Sequence, residues 1–203
     1  MQFSNHYPLK PFQESRFDKL KLVIEHYPLA TVISQSRPFP MVSQIPLILN
    51  RENHKLLGHL DMNNPHCESI KNGGDINCLF SGPNHYISPG IYPDEQFPGW
   101  NYISVHVTGV VKPLDDRKEL TDILLKTAQH NEPPESNYKL ETNQTNFDLF
   151  STMIVGFEIE ITDAKGIFKL AQDKSIENTR LAAAHLNHTA CQDISTFLEQ
   201  LLE

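Results

Sequence analysis

Long apolar runs are missing from this chain. No stretch approaches the roughly 18 consecutive apolar residues that a membrane-spanning helix requires, so no membrane partner is expected. Cysteine is scarce: Cys67, Cys78 and Cys191 are odd in number and widely spaced. They read as reduced thiols rather than a disulfide framework, and the lack of any CxxC pair removes most zinc modules. Clustered positive charge is also missing. The formal net charge is −8, and the 17 Lys and Arg residues are scattered, with Lys10, Arg16, Lys19 and Lys21 the nearest to a cluster. A protein that grips DNA displaces counterions with grouped basic side chains, so direct nucleic-acid binding by this chain alone is disfavoured. The first residues, MQFSNHYPLKPF, carry no basic-then-apolar leader, and a cytoplasmic location is expected. The glycine signatures GxGxxG and GxxxxGK[ST] and the hydrolase elbow GxSxG are absent as well.

What is present is ordinary for a globular chain of 203 residues, with 39% hydrophobic and 21% charged side chains. That length suits a single domain over 1–203, with helices at the C-terminal end, about 175–203. The most unusual segment runs from Phe80 to Pro113. It holds the sole tryptophan together with three tyrosines, two histidines and five prolines. Within it Ile103, Val105, Val107, Gly109 and Val111 alternate with polar neighbours, the period of a half-buried strand. Rings and rigid turns at a strand mouth suit a flat, π-rich ligand such as a flavin. An aromatic-rich hairpin loop is the plainer reading of the same residues.

Shorter β-type runs cover Ala30–Ser34, Pro40–Asn50, Lys55–Asp61 and Ile76–Ser81. The connections at 35–39 and 51–54 have hairpin length, and Pro46 implies an edge position or a bulge. Val155–Ile161 alternates too, and Asp163-Ala-Lys-Gly166 predicts a turn into Ile167–Leu170. Helices are expected near 13–26, from Asn64-Pro65 to Asn72-Gly-Gly74, from Asp116 onward, and near 176–187. A last one carries Ile194, Phe197, Leu198 and Leu201 on one face, and Glu132–Asn146 reads as loop. Many hairpin-linked strands without βαβ alternation predict a mainly β, α+β chain: a closed or nearly closed antiparallel barrel with peripheral helices.

His185, His188 and Cys191 are metal-ligand types at three-residue spacing, but zinc needs a further ligand and supporting groups. The spacing therefore reads as a partly exposed helix end, and no metal is expected. His85 and His106 flank the aromatic loop, where either could bond a flavin or satisfy a nearby carbonyl.

Five segments, in order and at plausible spacing, carry a resemblance. They are Gly58-His-Leu-Asp-Met-Asn-Asn-Pro65, Phe80–Pro89, Trp100-Asn-Tyr102 with His106 and Gly109, Ile154–Ile159, and Phe168-Lys-Leu-Ala-Gln172. Together, over about residues 7–180, they resemble the PaiB family of FMN-binding negative transcriptional regulators. The resemblance implies a flavin-type split β-barrel, a homodimer and bound FMN. It places His59, Asn63 and Asn64 near the FMN phosphate, with Gln44 at a related position. Trp100, Asn101, Lys169 and Gln172 would approach the isoalloxazine or the phosphate. Similar proteins carry His-Leu-Pro where this chain has Gln44-Ile-Pro46, and Ser and Asn at the positions of Ala171 and Asp173. Lost hydrogen bonds to a charged group cost roughly 1.5–3 kcal/mol each, so these changes weaken the phosphate site. The resemblance also implies a regulatory role, indirect given the acidic charge. The alternatives are a flavin-dependent oxidoreductase acting on a small molecule, or a flavin- or haem-type ligand carrier with His85 or His106 as axial group.

Overall fold

The computed structural model of the chain describes residues 7–36, 38–50 and 54–190. In chain order the elements are β1 (Gln13–Glu14), α1 (Phe17–His26), β2 (Leu29–Ser34), β3 (Met41–Asn50), β4 (Lys55–Asp61), α2 (His66–Asn72) and β5 (Gly74–Ile87), followed by β6 (Gly99–Pro113), α3 (Arg117–Asn131), α4 (Phe147–Thr152), β7 (Ile154–Lys169) and α5 (Ile176–Ala190). Along the sheet the strands run β1-β7-β4-β3-β2-β5-β6, and β6 pairs back onto β7. Six antiparallel strands thus close into a barrel, with β1 added beside β7. Closure leaves no unpaired ladder in the ring, which is how small β proteins avoid exposed edges.

The chain divides into two compact units. The first holds residues 15–81 and 104–166, the second the described residues of 2–14, 82–103 and 167–203. Most of the barrel belongs to the first, which holds β2, β3 and β4 entire and the larger parts of β5, β6 and β7. Its interior is filled by Ile45, Leu47, Leu56, Ile76, Phe80, Phe157 and Ile159, all under 2–3% exposed. These are the inward members of alternating strands, so the period read from the sequence and the packing agree. Outside the barrel, Ile123 of α3 packs with Ile48 and Leu57, covered by Leu114. Asp116 caps α3, its Oδ1 accepting from Lys118 N at 2.6 Å, as the sequence predicts.

Pro46 shows how the barrel accommodates a residue without an N–H. Residues 41–46 of β3 pair with β2, and residues 47–50 pair with β4. The proline sits where one ladder hands over to the next, so its edge-like role is local within an interior strand. Two expectations are corrected. The turn at Asp163–Gly166 does not form: β7 runs unbroken from Ile154 to Lys169. Asp163 and Lys165 lie on one strand face and form an ion pair at 2.6 Å. The helix expected near 13–26 starts at Phe17, because Gln13 and Glu14 are taken as β1. Part of the 51–54 turn, Cys191, and the helix of Ile194, Phe197, Leu198 and Leu201 lie outside the described residues.

Both described cysteines are free and buried. Burial pushes the Cys78 thiol up to about 12 and raises that of Cys67, so neither presents a thiolate near neutral pH.

Candidate functional site

Within the barrel unit, the residues assigned to the phosphate by resemblance divide by what their polar atoms already hold. Gln44 faces its β2 register partner Thr31, donating from Nε2 to Oγ1 at 2.8 Å. Asn63 is folded onto Asp61, whose Oδ1 accepts from its backbone N at 2.7 Å and from its Nδ2 at 2.9 Å. Asn64 opens α2, although the helix begins at His66. Its Oδ1 accepts from His66 N at 2.9 Å, an Asx-type cap that satisfies one orphan donor. His59 differs: its Nδ1 is buried with no partner among the described residues. Burial holds its ring below the usual imidazole value, so it is neutral near pH 7.

The same unit contains a chain of polar groups not foreseen from the sequence. His66 is completely buried. Its Nε2 lies 2.9 Å from Ser34 Oγ and its Nδ1 lies 3.0 Å from Ser43 Oγ. Ser43 in turn meets Asn64 Nδ2 at 3.3 Å. The three partners come from β2, β3 and the start of α2, so no local spacing announces them. The network pins α2 to the β2–β3 pair, because an unmade buried bond costs about 1–3 kcal/mol. We expect Ser34→Ala and Ser43→Ala each to lower stability by about 1 kcal/mol. The double variant should fall short of or exceed the sum by at least ~0.5 kcal/mol, since both act through one imidazole. Denaturant midpoints of the four proteins check this, and strict additivity contradicts the network.

In the second unit, Trp100 is the second residue of β6 and is half exposed, 51%. Its Nε1 donates to Asn84 Oδ1 at 3.3 Å. The His85 ring lies at 6.5 Å and 26° from it, and the Tyr86 ring at 6.3 Å and 62°. Asn101, the next residue, is buried at 5%, and its Nδ2 has no partner among the described residues. Neighbouring strand residues point to opposite faces, so Trp100 and Asn101 do not present their side chains together.

Lys169 ends β7 and makes no ion pair among the described residues. Gln172 is folded back on its own loop, with Oε1 accepting from Leu170 N at 2.7 Å and Nε2 donating to Phe168 O. Between them Ala171 adopts φ +64 while buried. Only glycine adopts that left-handed region without steric cost. The Ala171 carbonyl holds it in place, accepting from Thr179 Oγ1 at 2.8 Å and Lys174 N at 3.1 Å. Lys174, by contrast with Lys169, is engaged: Nζ donates to Gln96 Oε1 at 2.6 Å and lies 5.6 Å over the Tyr92 ring. Asp94 closes this clasp by accepting from Asn178 Nδ2 at 2.8 Å. That hydrogen bond leads the causes holding the Asp94 carboxyl below its ordinary value.

The His85 Nδ1 lies 2.8 Å from the Tyr86 carbonyl, so this ring nitrogen does satisfy a nearby carbonyl. No described group of three or more His, Cys, Asp or Glu side chains is placed to hold a metal, and no described helix is long and apolar enough to cross a membrane.

Comparison with known proteins agrees with this architecture. A family model described as "Putative FMN-binding domain" matches residues 6–163. The chain is 28% identical over 171 residues to the protease synthase and sporulation protein PAI 2 of Bacillus subtilis, covering 82% of each. Among solved structures it is similar to the flavocytochrome Anf3 of Azotobacter vinelandii, with TM-score 0.63 and 15% identity over 83% of this chain and 74% of that one. It is also similar to the FAD and heme binding protein of Mycobacterium smegmatis, with TM-score 0.57 and 13% identity over 84% and 80%. At such identities the two structures speak for the barrel alone.

Proposed function

The chain belongs to the FMN-binding domain family, and from that premise we propose that it binds FMN as a homodimer and acts on transcription indirectly, without gripping DNA itself. The observation that carries the flavin reading is Trp100, an indole left half exposed in a ring-lined setting. Large aromatic side chains are normally buried or engaged, and a flat heterocycle would cover this one.

The donor set fits a flat, anionic cofactor. In the second unit Trp100 offers an aromatic face, Lys169 an uncommitted cation and Asn101 an N–H without a partner among the described residues. In the barrel unit His59 brings a neutral ring with an unpartnered nitrogen. Within the second unit Trp100 and Lys169 are the principal binding residues in this reading, with Asn101 on the other face of β6, and within the barrel unit it is His59. Gln44, Asn63, Asn64 and Gln172 have secondary roles, because each must first give up a bond it already makes. Ala171 supplies no hydroxyl, and Asp173 adds a negative charge that a phosphate disfavours. FMN, when bound, supplies reversible one- or two-electron chemistry, and the protein supplies binding and orientation.

Support for a second copy comes from the barrel unit, where Leu29, Phe39 and Val42 leave 57%, 78% and 55% of their surfaces exposed around the β2–β3 hairpin. The acidic charge and scattered basic residues support the indirect mode. The resemblance to the PaiB family of negative transcriptional regulators supports regulation as the setting.

Titration with FMN, followed by flavin absorbance and by Trp100 fluorescence, tests the reading. Stacking on an aromatic side chain is worth about 1–3 kcal/mol, so Trp100→Ala should weaken binding roughly 5- to 150-fold. A colourless protein that FMN leaves unchanged overturns the flavin reading. Sedimentation that shows only monomer removes the dimer, and submicromolar DNA binding at physiological salt removes the indirect mode.

A further inference from the structure

His85 and His185 stand far apart in sequence, yet their rings meet with centroids 5.6 Å apart at an angle of 72°. His85 lies on β5 and His185 on α5, both within the second unit and both partly exposed. The contact is not explained by a hydrogen bond between the rings.

The bond that His85 does make decides its chemistry. A carbonyl oxygen only accepts, so the 2.8 Å contact to Tyr86 O requires the proton to sit on Nδ1. The neutral ring then keeps its lone pair on Nε2. Histidines that bind metals are commonly held this way, with the second nitrogen donating to a carbonyl or carboxylate. The His185 ring makes no hydrogen bond among the described residues. Two imidazoles bound to one ion at about 2.0–2.1 Å in a tetrahedral shell hold their ring centres about 5 Å apart, and a wider angle stretches this toward ~6 Å. The observed separation lies in that range.

We propose that His85 and His185 form a two-histidine site for a divalent first-row transition ion, of the Ni²⁺, Cu²⁺ or Zn²⁺ type that imidazole favours. No third His, Cys, Asp or Glu side chain joins them among the described residues, so water or a small exogenous ligand completes the coordination. The site is therefore open, as sites that exchange or activate a ligand are, and not closed like a structural one. In this assignment the partner of His185 comes from β5, and His188 stays exposed on the next turn of α5. It does not depend on flavin binding and is tested on flavin-free protein.

The sole tryptophan is a built-in reporter, because Trp100 lies 6.5 Å from the His85 ring. Paramagnetic Ni²⁺ bound there should quench its fluorescence saturably. His85→Ala and His185→Ala should each weaken Ni²⁺ binding at least tenfold, and His188→Ala should change it less than twofold. Zn²⁺ should raise the melting temperature of the unaltered protein and of His188→Ala, with that rise lost in the other two variants. Unchanged Ni²⁺ affinity in His85→Ala or His185→Ala overturns the site. So does an equal loss in His188→Ala, which would place the ion on the helix alone.

Discussion

Replacing Gly109 with alanine should lower stability by about 3 kcal/mol, the upper part of the range for overpacking a filled interior. Gly109 lies on β6 against β7, the pairing that closes the barrel. A Cβ there would stand 2.5 Å from the carbonyl oxygen of Glu160 and 2.6 Å from Cγ2 of Ile159. The carbonyl cannot retreat without opening the ladder. Gly156 makes a useful contrast. An added Cβ at that position meets Leu120 Cδ1 at 2.7 Å, the far end of a side chain that can turn away. Gly156→Ala should therefore cost markedly less. For a chain of this size, 3 kcal/mol corresponds to a fall in melting temperature of roughly 6–12 °C. Equal melting temperatures for the Gly109→Ala and unaltered proteins would show that the seam is not tightly packed.

Acid should destabilise the protein well before its carboxylates titrate. Burial holds His59, His66 and His106 below the ordinary imidazole value. In the unfolded chain each charges near pH 6.5, whereas in the folded chain each resists charging until lower pH. Below about pH 6.5 the unfolded state therefore binds more protons, and stability falls as pH falls. The loss continues until the folded values are reached. Each histidine adds a slope of at most about 1.4 kcal/mol per pH unit.

His66 shows the structural origin of this cost. Both of its nitrogens contact serine hydroxyls, and in the neutral ring one nitrogen donates while the other accepts. Protonation turns the accepting nitrogen into a donor and forces one hydroxyl to rotate. Urea midpoints at pH 7.5 and pH 5.5 test the expectation, with His66→Gln expected to flatten the profile. Identical midpoints at the two pH values would refute it.

The sequence predicts the barrel better than it predicts the site. β2, β3 and β4 fall within a residue of the expected spans because alternation and turn residues agree there. β5 extends beyond its expected span, since Pro83 tempts an early stop that pairing overrides. The turn expected at Asp163–Gly166 fails for the same reason: local turn chemistry yields to the neighbouring strands. α4 escapes notice because six residues show no helical period.

Gly109 carried a legible signal, since a glycine inside a strand pattern marks close backbone approach. The Ser34–His66–Ser43 chain and the His85–His185 pair had none, because only tertiary folding brings their members together. Among the site residues drawn from resemblance, residue type alone could not show that Gln44, Asn63 and Gln172 are already bonded to their own neighbours.

The second unit is drawn from three separate stretches of the chain, and β5, β6 and β7 each begin in one unit and finish in the other. No single excision can liberate either half, and no contiguous gene fragment encodes the smaller one. Recombination between relatives meets the same obstacle, for a crossover inside any shared strand exchanges material on both sides at once. The two halves are bound to be inherited, expressed and degraded together.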